Sequence, residues 1–430
     1  MKINLKLDKQ LTKEESVNVI IYLLLWILPF FMVTKETGEG MDFGKGILMI
    51  VMSIIILIIF AKDRNIKMDL VSKMAIIYLV IATIATVFSM DIKQSIVGVR
   101  GRYEGLIIIA VYVVLFFAAK NYFAIDKKAL TMALTLVTIL ALLTLIQFYG
   151  FDPIWGQKSY LGKELTEGIK KGLSDEILFP KHLATIGNRN FVSTYFSIFL
   201  PVTIGGYIFY KNKYCFISSL FIYGALLCTL TRSGYVGFIV ASGILLLMLI
   251  KEKNKEFFKR VAVLALAFIM IFGFINFTSK GAVANRLGLL GRDVTSFNEK
   301  SGSSRIGIWK LVIKIIEEKP ILGTGPDTLD KALPEICGDD YKELGFIVDK
   351  AHNEFLQIAA TMGIPALIVY LIFLLLILRN IIKNINDDKY KILLLVFVAF
   401  VTQSFFNISI ISVASIVWIF FGVMSKERIS

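Results

Sequence analysis

Apolar runs of 14 to 21 residues recur along almost the whole chain, separated by short polar breaks. About 20 apolar residues span the hydrocarbon core of a bilayer, so the pattern predicts membrane-crossing helices. Twelve are read, at 17–33, 47–61, 74–90, 106–119, 129–149, 191–210, 214–230, 235–250, 261–277, 364–378, 392–406 and 408–424. The break at Asn407 is the weakest, and one long tilted helix there gives eleven. The first run follows a polar segment of 16 residues and has no small-residue cleavage site after it, so it reads as a retained helix. The expected fold is an all-α integral membrane protein with about 12 transmembrane helices, one polytopic domain over residues 1–430.

Two polar stretches, 150–188 and 279–363, are long enough to fold. Loops of that length without function or structure of their own are uncommon. In 304–319 the residues Ile306, Trp309, Ile313 and Ile316 recur at helical spacing, with Ser303 or Ser304 as cap and Pro320 as stop. Trp309 favours the headgroup zone, which predicts a helix lying along the membrane surface. A second amphipathic stretch, 351–362, shows Phe355, Ile358 and Met362 on one face and leads through Gly363 and Pro365 into the tenth span. Gly323, Gly325 and Pro326 make a tight turn between the two stretches.

Composition agrees with the pattern: 56% of residues are hydrophobic and 19% charged, which no soluble domain matches. The net charge of +14 is mostly topology. With both termini cytoplasmic, 24 Lys and Arg fall in short cytoplasmic pieces and six in short external loops, among them Lys35, Lys45 and Lys93. The other 17 belong to the two long loops, which the positive-inside rule does not weigh. The charge therefore gives no case for nucleic-acid binding. Cys215, Cys228 and Cys337 show no pair spacing and read as two buried thiols and one free. Two histidines cannot build a His-based metal site, and Asp339-Asp340 reads as a solvated acidic loop, so no metal or other cofactor is expected. The spans as bounded contain no Asp, Glu, Lys or Arg.

The candidate chemistry lies in external loops, where arginine runs against the charge trend. Arg100 and Arg102 flank Gly101 just before the fourth span, where glycine lets a ligand approach the backbone. Snorkelling explains Arg100 and competes with binding for Arg102. Arg189, between Asn188 and Asn190, opens the sixth span. A helix N-terminus favours anions, so a cation there implies an acidic partner or ligand. Arg232 sits in the tight turn Thr231-Arg232-Ser233-Gly234, close to the membrane surface, and Arg305 opens an amphipathic helix. Charge in such places is a functional candidate. His352-Asn353 opens the last external helix, and histidine suits proton transfer near neutral pH.

Arg232 in its Thr-Arg-Ser-Gly turn, Arg305 with Trp309 four residues on, the Pro320…Gly323-Thr324-Gly325 turn and His352-Asn353 before Gly363 together resemble the O-antigen ligase and polymerase superfamily. The segments Gly187-Asn188-Arg189-Asn190 and Gly101-Arg102-Tyr103-Glu104-Gly105 are similar to its members as well. The resemblance covers most of the chain and is sharpest over 187–363. It implies a membrane glycosyltransferase using a polyprenyl-diphosphate-linked glycan at the external face, inverting and independent of metal. The acceptor is a glycan, lipid or protein. Under that resemblance Arg232 and Arg305 hold the donor diphosphate, and His352 assists the acceptor hydroxyl, with Glu104 as second choice for the base. Arg102, Arg189, Glu104 and Asn353 complete the substrate-binding set. Two other readings compete. A peptidoglycan polymerase of the shape and division family predicts an external catalytic acid. A transporter or flippase predicts polar features at mid-membrane.

Overall fold

In the computed structural model the apolar runs form helices, and the polar breaks between them carry the caps. Residues 11–31, 41–61, 66, 68–154, 156, 168, 183–295, 305–408 and 410–426 are described. The helices are α1 (Lys13–Ile27), α2 (Met41–Ala61), α3 (Leu70–Val87), α4 (Ile92–Val97), α5 (Leu106–Asn121), α6 (Lys127–Phe148), α7 (Arg189–Ile208) and α8 (Lys213–Cys228). They continue as α9 (Arg232–Glu252), α10 (Lys255–Thr278), α11 (Ala282–Thr295), α12 (Arg305–Glu318), α13 (Leu329–Lys342), α14 (Glu354–Lys383), α15 (Asp388–Ser404) and α16 (Ile411–Met424). Short polar side chains start them. Asp69, Asp126, Asn212, Asn254 and Asp387 each accept a hydrogen bond from a first-turn amide, which satisfies a donor the helix itself leaves open.

Among the described residues seven helices, α2, α3, α6, α7, α9, α10 and α14, are long and apolar enough to cross a membrane, and α5, α8 and α16 are shorter apolar helices. Their outer faces carry an apolar belt: Leu247, Leu266, Ile269, Phe274 and Phe277 are each more than 60% exposed. A surface of this kind is stable against lipid and not against water. Inside, Trp418 packs against Tyr112, Phe373 and Phe421 at centroid distances of 6.1, 5.4 and 6.0 Å. The helix breaks between Ser404 and Ile411, so one long helix does not form around Asn407.

The helix ends sort to two sides. At one, Tyr22 donates to the Ala124 carbonyl, Arg260 to Ile208, and Asn380 to Met424 and Lys426. The turns rich in lysine, such as 251–259, lie on this side. At the other, Arg189 and Arg286 reach the Leu230 carbonyl and Asn407 reaches that of Asn190.

The span boundaries need one correction. The sequence pattern starts the second span at Ile47, but α2 begins at Met41 and takes in Asp42 and Lys45. Lys45 is no loop lysine. It is fully buried and donates to the Thr185 carbonyl and the Ser412 hydroxyl, both at 3.0 Å. Ser412 in turn donates to Asp42.

A second, smaller core sits above the site end. Here α12 buries Ile308, Leu311, Val312 and Ile315 against Leu329, Ala332, Leu333 and Cys337 of α13. The predicted face, Ile306, Trp309, Ile313 and Ile316, is offset from this one, and Ile313 is exposed. The helix is apolar on most sides, so periodicity alone cannot choose its face. The second predicted face, Phe355, Ile358 and Met362, is buried as expected. All three cysteines are buried and unpaired, none exposed. Asp339 and Asp340 end α13 rather than standing in a loop, beside Lys342 and Lys314.

Gly363 shows why the chain bends there. Its φ of 86° breaks α14, and Pro365 lacks an amide to continue the ladder. The carbonyls of Ala360 and Thr361 are thereby left open. The amides of Thr324 and Gly325 fill them at 3.0 and 2.8 Å, while the Ile364 amide turns to Pro320. The predicted Gly323–Pro326 turn is thus a cap for a broken helix.

Candidate functional site

The site is built where the 98–105 loop meets the 326–327 turn and the 349–353 strap. Gly98 and Gly101, with φ of 97° and 92°, fold the loop back on itself. Its amides at Val99 and Glu104 donate to one oxygen of Asp327, at 2.8 and 3.2 Å. The other oxygen of Asp327 lies 2.5 Å from the Lys350 ammonium, which also reaches Glu104 at 3.2 Å. Tyr112 donates to the second oxygen of Glu104 at 3.2 Å. The lysine side chain is 4% exposed and Asp327 is 1% exposed. A small cavity of about 70 Å³ adjoins this group, lined in part by Glu104, Lys350, Tyr78 and Tyr370.

Burial pushes the Glu104 carboxyl up to about 8, because charge is poorly solvated there; Lys350 opposes the shift and Asp327 adds to it. Burial alone lowers a lysine, yet Lys350 is raised above its ordinary value by Asp327 and Glu104. The lysine therefore stays charged while Glu104 holds a proton near neutral pH.

The strap carries the candidate residues. Asp349 accepts from Arg102 Nε at 2.8 Å, and the Arg102 guanidinium lies 5.3 Å over the Phe191 ring. Trp309 donates to the Ala351 carbonyl at 3.0 Å and Gln357 accepts from the Ala351 amide at 2.8 Å, so α12 and α14 grip the residue before the histidine. His352 is held at φ 50°, in the left-handed region that few non-glycine residues adopt. Its Nδ1 is buried and has no hydrogen-bond partner among the described residues. Burial and then the charge of Arg305 push the imidazole down to about 4, against the pull of Asp349. It is neutral at pH 7 and able to accept a proton. Asn353 caps α14, accepting from the Phe355 and Leu356 amides.

A second group surrounds the turn before α9. Leu230 has φ 49°, and its carbonyl receives Arg189 at 3.2 Å and Arg286 at 2.9 Å. Both arginines are buried, at 7% and 6% exposure. Arg189, expected to need an acidic partner or ligand, directs its guanidinium at the Thr229 and Leu230 carbonyls. Arg232 follows at the N-terminus of α9, half-buried. Helix α9 presses close to α7 here, where a Cβ on Gly234 would come 1.9 Å from the Ser193 hydroxyl.

Arg102, Glu104, Arg305, His352 and Asn353 thus share one neighbourhood, and Arg189 and Arg232 form another on the same side. The Arg102–Phe191 contact joins the two, since Phe191 follows Arg189 by two positions. Sequence reasoning missed Asp327, Asp349, Lys350 and Arg286. Lys350 is buried; the adjacent opposite charges Asp349-Lys350 just before His352 were the available signal. Ser303 and most of 150–188 lie outside the described residues. Among the described residues no three His, Cys, Asp or Glu side chains are grouped to hold a metal ion.

Residues 217–371 match the family model described as O-antigen ligase. The resemblance read from the sequence holds over that segment, which contains Arg232, Arg305, His352 and Asn353; Arg102, Glu104 and Arg189 lie before it. No curated protein matches the chain.

Proposed function

Proceeding from the O-antigen ligase match, we propose that the protein is a membrane glycosyltransferase, acting as ligase or polymerase on a polyprenyl-diphosphate-linked glycan. The observation that carries this is the convergence of Arg102, Arg305 and His352: Arg102 pairs with Asp349 three residues before His352, and both arginines act on the imidazole with Asp349 opposing them. Cations crowded beside a neutral histidine suit an anionic donor and a hydroxyl acceptor. Guanidinium pairs bidentately with phosphate and keeps its charge.

In the proposed reaction the acceptor hydroxyl attacks the anomeric carbon from the face opposite the diphosphate, with inversion. The carbon–oxygen bond to the diphosphate breaks, and its electron pair leaves with the polyprenyl diphosphate. His352 takes the hydroxyl proton, a contribution of about 10²–10⁴-fold. Arg232 and Arg305 meet the charge growing on the leaving group. Arg102 helps hold the donor, Arg189 orients the Arg232 turn, and Asn353 fixes the strap that presents His352. No metal is required. The site faces outward, because it lies at the end of the bundle away from the lysine-rich turns.

The test is transfer of glycan from a polyprenyl-diphosphate donor by the purified protein, with donor binding measured separately. Arg305→Lys is expected to weaken binding and lower turnover, because an ammonium does not reproduce the bidentate contact. Full turnover in both Arg305→Lys and Arg232→Lys would end the proposal.

A further inference from the structure

At the opposite end of the bundle lies a larger cavity, about 1160 Å³, between α6, α7, α15 and α16. Drug-sized ligands occupy roughly 300–1,000 Å³, so this one suits something bigger. Its deep wall is apolar, including Leu134, Phe199, Ile392 and Phe420. Its rim carries Lys127, Lys211, Lys389 and Lys426, and among the described residues no Asp or Glu lines it.

The carboxylates that act on these lysines, Asp387 on Lys389 and Glu14 on Lys426, stand outside the cavity lining. The neighbouring Lys391 takes Glu252 and Asp388 as its own partners. Lys426 points its ammonium at the Phe123 carbonyl. Burial pushes the Lys426 ammonium down to about 8, the positive charge of Lys389 adds to the effect and Glu14 opposes it. Among the described residues, four cations line the mouth of an apolar cleft with no carboxylate in its wall, which suits an anion. The cleft below them has no polar wall to suit a soluble phosphate compound.

We propose that this cavity binds an anionic phospholipid, with the phosphate among Lys127, Lys211, Lys389 and Lys426 and an acyl chain against Leu134, Phe199 and Phe420. The chemistry is that of basic pockets between membrane helices, where a charged headgroup and its chain are recognised together. The site is separate from the donor site, which lies at the other end of the helices, so the inference stands whether or not the glycan reading does.

The experiment uses the full chain purified in a non-ionic detergent. Thermal unfolding is followed while dioleoyl phosphatidylglycerol, dioleoyl phosphatidylcholine or inorganic phosphate is titrated in. Phosphatidylglycerol is expected to raise the midpoint saturably, as a ligand of the folded state does, and the other two to leave it in place. Lys127→Gln/Lys211→Gln/Lys389→Gln should weaken phosphatidylglycerol binding about a hundredfold, at roughly a factor of five per lysine. Val202→Trp fills the cleft with every charge intact and should block the shift as well. Inorganic phosphate matching the lipid effect would make this a free-anion site. Phosphatidylcholine matching it, or an unchanged affinity in both variants, would overturn the proposal.

Discussion

Lys350→Met should be the most damaging single change outside the candidate catalytic residues. It removes the cation that lies 2.5 Å from Asp327 and 3.2 Å from Glu104 and keeps the shape of a long side chain. Breaking a buried ion pair from one side costs about 3–5 kcal/mol, because the partner charge is left without solvent or counterion. At an unfolding entropy of about 2.1 cal/mol/K per residue, a chain of this length loses roughly 1 °C per kcal/mol, so the midpoint should fall by about 3–5 °C.

The two carboxylates should not matter equally in that background. Glu104 already holds its proton near neutral pH, so it becomes no more charged when the lysine goes. Asp327 is the closer partner and its far oxygen is fixed by two amides. Asp327→Asn should therefore recover most of the loss in Lys350→Met, and Glu104→Gln little of it. The assay is thermal unfolding in detergent for the parent, the three single variants and the two doubles at pH 7. A Lys350→Met midpoint within 1 °C of the parent, or a larger rescue by Glu104→Gln, would refute the reasoning.

The other predictions are quickly stated. The proton on Glu104 gives a pH signature: between its ordinary value of 4.5 and about 8 the folded chain holds a proton that the unfolded chain has released. Stability from this group is intact below about 4.5 and is lost as pH rises through about 8, so the midpoint advantage of Glu104→Gln over the parent should widen across that range. Gly363→Ala should destabilise by at least 1–3 kcal/mol (an order-of-magnitude figure for strained backbone), read as a lower midpoint, because its Cβ would lie 2.0 Å from the Ile321 carbonyl oxygen at a φ of 86°. His352→Ala should lower turnover about 10²–10⁴-fold with donor binding nearly intact, and full activity would remove it from the mechanism. For orientation, Lys342→Cys, at a side chain 77% exposed, should react with an impermeant thiol reagent on intact cells while Lys255→Cys does not; the reverse pattern would place the site inside.

Much of the architecture was legible because a bilayer imposes a length. Each of the twelve apolar runs falls on a helix, and Gly363 with Pro365 marked the bend in α14. What failed has a common physical cause. Lys45 reads as a loop lysine because sequence gives no sign that Thr185 and Ser412, 140 and 367 residues away, supply its acceptors. The buried face of α12 was missed because isoleucine and leucine occupy several faces of that helix. Asp327 and Lys350 went unnoticed because each is ordinary alone. Their meaning comes from long-range pairing, which only the folded chain shows.

That pairing also bears on the proposed chemistry. His352 with an imidazole at about 4 is neutral but by itself a weak base. The causes are burial and the positive charge of Arg305, followed by Arg102 and Lys350, against the pull of Asp349. A bound diphosphate would bring two negative charges to the same arginines. It would cancel their effect on the imidazole and favour its protonated form. In the proposed reaction the donor thus raises the basicity of the group that must deprotonate the acceptor, and His352 becomes effective only once the leaving group is in place. The sign is testable from kinetics alone. The acid limb of kcat/KM reports the free enzyme and should fall near pH 4, whereas the limb of kcat reports the donor complex and should lie at higher pH. Limbs that coincide would mean that the arginines and His352 do not meet the same substrate.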